Sequence, residues 1–235
     1  MRSAVPEFRS GRLHLWSIPL DAHETAPLRA LLSPDEQARA SRFHFERDAE
    51  RFIVGRGVLR TILASYLDVP DPSQLALRVG EHGKPVLADG AVFFNLAHSG
   101  ALGLLGIARD AEIGVDLELV RDFDDMPRVM RASFAPAEVE AIVALDSQYR
   151  VAAFYRCWTR KEAVLKALGS GLARPLDSFG VDVGERSPAV LWMDGQSPED
   201  VASWKVQHLT PAAEHIGAVA WTGPDLEIES FTYAP

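Results

Sequence analysis

The stretches GRGVLRTIL (55–63) and RKEAVLKAL (160–168) decide how this chain is organised: with Leu59 set on Leu165, 106 residues on, the second runs over the first at close to half the 235-residue length. Each lies inside a longer amphipathic segment. From Asp48 to Leu67 the apolar residues Phe52, Ile53, Leu59, Ile62, Leu63, Tyr66 and Leu67 recur at three- and four-residue spacing, which predicts a helix with one buried face. Val151 to Leu168 reads as a second long helix, ended by Gly169. Ser33-Pro34-Asp35-Glu36 opens a helix before the first, and Phe134-Ala135-Pro136-Ala137-Glu138 opens one before the second. A repeat of this kind predicts two similar α+β halves, residues 1–112 and 113–235; two unrelated amphipathic helices would leave the same trace.

Around these helices the pattern switches to strands. Leu13 to Ile18 alternates, and Leu75 to Val79, Val92 to Ala97, Leu102 to Ala108 and Ile113 to Leu119 follow, with short strands from Phe179 onward. Glu81-His82-Gly83-Lys84-Pro85 reads as a turn.

Composition removes several classes of function. With 47% hydrophobic and 24% charged residues the chain has the make-up of a globular domain with a substantial core. Lys and Arg number 24 against 33 Asp and Glu, and the net charge of −9 argues against a protein that coats nucleic acid through summed phosphate contacts. Cys157 is the single cysteine, which excludes an intramolecular disulfide and a cysteine-built zinc site and fits a reducing compartment. Pro6, Glu7, Arg9, Arg12 and Pro19 break the apolar residues at the start, so no signal-peptide core is seen. Ala101 to Ala108 is too short to span a bilayer. The expectation is a cytoplasmic, soluble protein with neither a nucleic-acid nor a membrane partner.

Three patterns could carry chemistry. In Ile113-Gly114-Val115-Asp116-Leu117-Glu118 two carboxylates stand two apart in a strand and so share a face. Among Ile, Val and Leu they would repel and lose solvation unless an oxygen-preferring cation such as Mg²⁺ sat there; an edge strand with its acidic face in water is the plainer reading. Trp158, Glu162 and Lys166 fall at i, i+4 and i+8 of the second helix, either as a surface ion pair or with Glu162 as a third metal ligand and Lys161 and Lys166 as countercharges to a phosphate. His98 closes the strand before Ser99-Gly100, where ligands often bind and where structural histidines also sit. His98 and Ser99 cannot act as base and nucleophile, because neighbours on a strand point to opposite faces. Gly55-Arg56-Gly57 lies in a helical pattern, which weakens any dinucleotide-binding reading.

HGKPVL (82–87), FNLAHSG (94–100), GVDLE (114–118) and WTRKEAVLKALGSGL (158–172), in this order, closely resemble the 4'-phosphopantetheinyl transferases of the surfactin-synthetase-activating type, from about Ser33 to Phe179. The resemblance implies a monomer of two similar α/β subdomains related by a pseudo-twofold axis, with coenzyme A and Mg²⁺, or Mn²⁺ in its place, in the cleft between them. It implies transfer of the 4'-phosphopantetheine arm of coenzyme A to a serine of an apo acyl or peptidyl carrier protein, that is, holo-carrier-protein synthase activity in fatty acid, polyketide or nonribosomal peptide synthesis.

Carried over by position, Asp116, Glu118 and Glu162 would hold the metal. Arg39, Gly83, Lys84, Pro85, Ala97, His98, Asp116 and Lys166 would border coenzyme A, with His98 on its 3'-phosphate. Lys161 would screen or protonate the leaving group, and Glu162 or Glu138 would take the serine proton. Two positions depart from the family: Ala97 replaces a usual serine, and Glu36 stands where some members place a second basic residue near Arg39. The segment from Phe123 to Phe134 is expected to contribute to an apolar surface for the carrier protein. A Mg²⁺-dependent phosphohydrolase or nuclease built on the same carboxylates is the competing enzyme class, and an inactive carrier-binding module the competing non-enzyme.

Overall fold

The computed structural model describes residues 7–80, 83–88, 90–169, 174–185 and 189–234. The first half runs β1 (Arg12–Pro19), α1 (Thr25–Arg29), α2 (Pro34–Ala40), α3 (Glu46–Tyr66), β2 (Leu77–Val79), β3 (Pro85–Leu87), β4 (Phe93–Ser99) and β5 (Leu102–Ala108). The second runs β6 (Ile113–Leu119), α4 (Met126–Ser133), α5 (Pro136–Val143), α6 (Ser147–Leu168), β7 (Phe179–Val181), β8 (Val190–Met193), α7 (Pro198–Ala202), β9 (Trp204–Leu209) and β10 (His215–Thr222), followed by β11 (Glu227–Thr232). The architecture is α+β, and the order repeats. Each half opens on a strand, passes through short helices to a long one, makes a two-stranded ribbon (β2–β3, β7–β8) and ends on two antiparallel strands. The sheets repeat too, as β1-β5-β4 and β6-β10-β9.

Strand β11 departs from the two-half division, because it lies parallel to β1, Arg12 opposite Glu227 and Ser17 opposite Thr232, and so adds a strand from the second half to the first half's sheet. The halves also meet in a shared core, where Leu13, Leu15, Leu102 and Leu104 pack with Ile113, Val115, Leu117, Val219 and Trp221. Beside this core β4 lies along β6. Side chains tie the two together: Asn95 Oδ1 accepts from the Val115 N–H at 2.8 Å and Ser99 Oγ from the Leu119 N–H at 3.0 Å. Both partners sit twenty residues on, so β4 and β6 run in the same direction.

A buried acid opens the short helix before each long one. Glu36 closes a capping box with Ser33, accepting from its N–H at 2.9 Å, and takes the guanidinium Nε of Arg56 at 2.8 Å and of Arg60 at 2.7 Å. Arg60 then donates to the carbonyl of Leu75 at 3.1 Å. In the second half Ala135 has no side-chain acceptor, so only the acid's share of the box forms: Glu138 Oε2 accepts from the Ala135 N–H at 2.8 Å. Its Oε1 accepts from the Val181 N–H at 2.7 Å and pairs with Lys161 Nζ at 2.9 Å. Lys161 is fully buried and donates to the carbonyls of Leu176 and Phe179.

Glu36 therefore corresponds to Glu138, and Arg60 to Lys161. These anchors set the repeat near 101 residues and not 106, since an amphipathic helix slides against another without penalty whereas a buried acid and its cation do not. Two expectations change with this geometry. Glu36 is no failed basic residue of a nucleotide grip but a structural anchor. Glu138 and Lys161, expected beside the reacting groups, pair with each other inside the second half.

Candidate functional site

Strand β6 and helix α6 cross at Gly114, where a Cβ would lie 2.0 Å from the carbonyl oxygen of Ala163 and 2.3 Å from the amide nitrogen of Ala167. Only glycine allows that approach. It brings the side chain two residues along β6 against the next polar position of the helix: Asp116 Oδ1 accepts from Lys166 Nζ at 2.5 Å. Asp116 Oδ2 is buried and has no partner among the described residues. Two residues further, Glu118 Oε2 accepts from Ser99 Oγ at 2.9 Å. Glu162 stands one helical turn before Lys166 and faces the same field.

Charge explains the strain in this group. Burial raises the pKa of Asp116 and Lys166 opposes the rise. Burial raises Glu118 as well, with the Asp116 charge adding to it and Glu162 adding less. Glu162 is raised by burial and then by Asp116. Three carboxylates thus feel one another across low dielectric, and Lys166 is the cation placed among them. Among the described residues no three His, Cys, Asp or Glu side chains converge into a ready-made metal cluster. The unpartnered Asp116 oxygen beside two mutually repelling carboxylates nonetheless fits a hard divalent cation, which takes oxygen donors and cancels that repulsion.

A positive field borders the carboxylates. The pKa of His98, on β4, is lowered by partial burial and then by the charges of Lys166, Arg39 and Arg51. Arg39 sits at the end of α2 with its guanidinium 5.2 Å from the ring centroid of Phe52. The structure therefore brings Arg39, His98, Lys166, Asp116, Glu118 and Glu162 into one electrostatic neighbourhood. Arg51 of α3 joins them; its fork holds Asp21 at 2.7 Å through both Nε and Nη2. In the sequence it was one arginine of the row Arg47, Arg51, Arg56 and Arg60, with nothing to single it out. Ser99 was named only as a neighbour of His98, and its bond to Glu118 crosses between the halves.

Lys84 makes its hydrogen bonds to backbone carbonyls of the second half. Its ammonium donates to the carbonyls of Lys166 at 2.8 Å and Ile113 at 3.2 Å, so it braces the last turn of α6 against the start of β6. With Pro85, Leu168 and Gly169 it lines a cleft of about 360 Å³. Gly83 is exposed at φ +83° beside it, while His82 lies outside the described residues. Ala97 is 5% exposed and belongs to the core between the halves, in the same cluster as Leu104 and Leu117. Of the segment from Phe123 to Phe134, Met126, Met130 and Phe134 are buried, whereas Pro127, Arg128, Arg131 and Ala132 are exposed. Phe134 is 3% exposed and packs with Phe154 and Trp158, and Phe123 packs on Phe154.

Comparison with known proteins bears on the whole chain. Residues 112–220 match the 4'-phosphopantetheinyl transferase superfamily profile, and residues 16–108 match the N-terminal 4'-phosphopantetheinyl transferase profile. The chain is 38% identical to the 4'-phosphopantetheinyl transferase HetI of Nostoc sp. over 220 residues, 91% of this chain and 89% of that protein. It is 28% identical to the 4'-phosphopantetheinyl transferase Sfp of Bacillus subtilis, over 80% of this chain and 83% of the relative. It is also 26% identical to the L-aminoadipate-semialdehyde dehydrogenase-phosphopantetheinyl transferase of Mus musculus, over 83% and 68% of the two chains. Spanning both halves of the repeated fold, these similarities show that the chain belongs to the 4'-phosphopantetheinyl transferase family.

Proposed function

We propose that this enzyme moves the 4'-phosphopantetheine group of coenzyme A onto a serine of an apo acyl or peptidyl carrier protein, with Asp116, Glu118 and Glu162 holding a Mg²⁺ ion. The serine oxygen bonds to the phosphorus that bears pantetheine, the bond to the bridging pyrophosphate oxygen breaks, and adenosine 3',5'-bisphosphate leaves with that electron pair. When bound, Mg²⁺ supplies charge neutralisation of the pyrophosphate.

The chain's own groups supply the rest. Glu162, one helical turn before Lys166 and beside Asp116, accepts the serine proton. Lys166, now paired with Asp116, faces the charge gathering on the leaving group. His98 and Arg39 hold the 3'-phosphate, remote from the reacting phosphorus, and so align the donor. Lys84 supports this by bracing the turn that carries Lys166.

The observation that carries the reading is the buried, unpartnered oxygen of Asp116, set beside two further carboxylates and the charges of Lys166, His98 and Arg39. Among the described residues no helix is long and apolar enough to cross a membrane. The proposal places the enzyme in the cytoplasm, as a monomer. Incubating an apo carrier protein with this chain, coenzyme A and Mg²⁺ and weighing the carrier tests it: a gain of one phosphopantetheine unit, lost on chelation, is expected. Metal-dependent cleavage of coenzyme A with no mass gained by the carrier would instead identify a phosphohydrolase.

A further inference from the structure

The hydroxyl of Ser99 has one proton, and its two contacts fix where that proton goes. The Leu119 N–H donates to Ser99 Oγ at 3.0 Å, so the hydroxyl is an acceptor there and its own O–H is committed to Glu118 Oε2 at 2.9 Å. Glu118 needs such a restraint. Asp116 and Glu162 both repel it, and a half-buried glutamate with free rotamers would otherwise turn toward water. Oε2 is held by the serine, and Oε1 carries no hydrogen bond among the described residues, which leaves it open to a cation. Asn95, four residues earlier on β4, provides a built-in comparison: it accepts from the Val115 N–H at 2.8 Å as Ser99 does from Leu119, but among the described residues it donates to no carboxylate.

We infer that Ser99, a residue of the first half, is a positioning residue that makes Glu118 of the second half a one-oxygen metal ligand. The inference rests on the Mg²⁺ reading above. It makes metal affinity depend on the β4–β6 contact as well as on the carboxylates themselves, since outer hydrogen bonds of this type commonly change metal affinity by about 10- to 100-fold.

The test reads metal uptake without turnover. Mn²⁺ binding is measured by electron paramagnetic resonance with coenzyme A present and no carrier protein, alongside thermal unfolding of each variant. Ser99→Ala should weaken Mn²⁺ binding by about tenfold and Ser99→Thr, which keeps the hydroxyl, should restore most of it. Asn95→Ala should lower the melting temperature with little effect on Mn²⁺ binding. Where Ser99→Ala is too unstable to handle, Ser99→Cys, with its weaker donor, should fall between alanine and the parent. If the parent binds Mn²⁺ and Ser99→Ala binds it equally well, or if Asn95→Ala weakens it as much, Ser99 is only a tie between strands and the inference is overturned. A parent that takes up no Mn²⁺ overturns the metal reading, and the role given to Ser99 with it.

Discussion

Gly114 and Ala163 meet backbone to backbone, the place of a Cβ on Gly114 lying 2.0 Å from the Ala163 carbonyl oxygen. A side chain there cannot be accommodated by a rotamer change, because the obstacle is the helix itself. Overpacking of an ordinary core costs about 1–3 kcal/mol, and Gly114→Ala should exceed that range. The helix should also move off β6, separating Asp116 from Lys166, so activity should fall together with stability. Urea unfolding measures the first effect, read from the midpoint at unchanged slope. A Gly114→Ala protein with parental midpoint and activity would show that the contact is not as close as described.

Replacing Glu162 by glutamine separates chemistry from folding. The change keeps side-chain volume and removes one charge from three, so most of the activity should vanish while the fold stays intact, with partial rescue at raised Mg²⁺. Because Asp116 already pushes the Glu162 carboxyl up, deleting that charge relieves repulsion. The ligand-free variant should therefore unfold at the parental temperature or slightly above it near neutral pH. Parental turnover and parental Mg²⁺ dependence would reduce Glu162 to a surface ion-pair member.

Much of this arrangement was legible in the chain, and the parts that were not share a physical cause. Period-two and period-3.6 apolar patterns report which face of an element is buried, so both long helices and the strands carrying Asp116 and His98 could be read from them. The same patterns carry no information on polar pairing across the fold. Lys161 and Glu162 are adjacent in sequence, yet on α6 they point to different sides, one into the core against Glu138 and the other toward Asp116. Ser33-Pro34-Asp35-Glu36 announced the start of a helix but not that Arg56 and Arg60 would close on its acid. The return of β11 to β1 likewise had no local signal, because parallel pairing over more than two hundred residues depends on the finished sheet and not on either strand alone.

The Lys161–Glu138 pair should prove structural. Removing one partner of a buried ion pair leaves the other charge without its counter-ion and typically costs about 3–5 kcal/mol. Lys161→Met and Glu138→Gln should both lose stability on that scale, with the double variant Lys161→Met/Glu138→Gln less destabilised than the sum of the two. Turnover per folded molecule at low temperature should stay near the parent's. Intact stability with collapsed turnover would return Lys161 to the leaving group, where the family resemblance had placed it.

His98 offers the sharpest test of how coenzyme A is held. Partial burial and the charges of Lys166, Arg39 and Arg51 lower its pKa, so the folded protein favours the neutral ring. The sign for stability follows: this contribution is present above the ordinary histidine pKa and is lost as pH falls through the lowered one. A phosphate dianion reverses the local field, so binding coenzyme A should draw a proton onto His98, and affinity should tighten as pH falls through the ordinary histidine range. Taking the difference between parent and His98→Ala cancels the titration of the phosphate itself. Dephospho-coenzyme A, with no 3'-phosphate, should show no such difference. Losing one charge-assisted hydrogen bond costs about 1.5–3 kcal/mol, so His98→Ala should lower kcat/KM for coenzyme A by roughly one to two decades and for dephospho-coenzyme A only slightly. Arg39 and Arg51 would keep part of the grip, which favours the lower end of that range. Equal losses on the two donors, or a pH dependence that survives in His98→Ala, would mean that the 3'-phosphate is held by the arginines alone and that His98 serves only to finish β4.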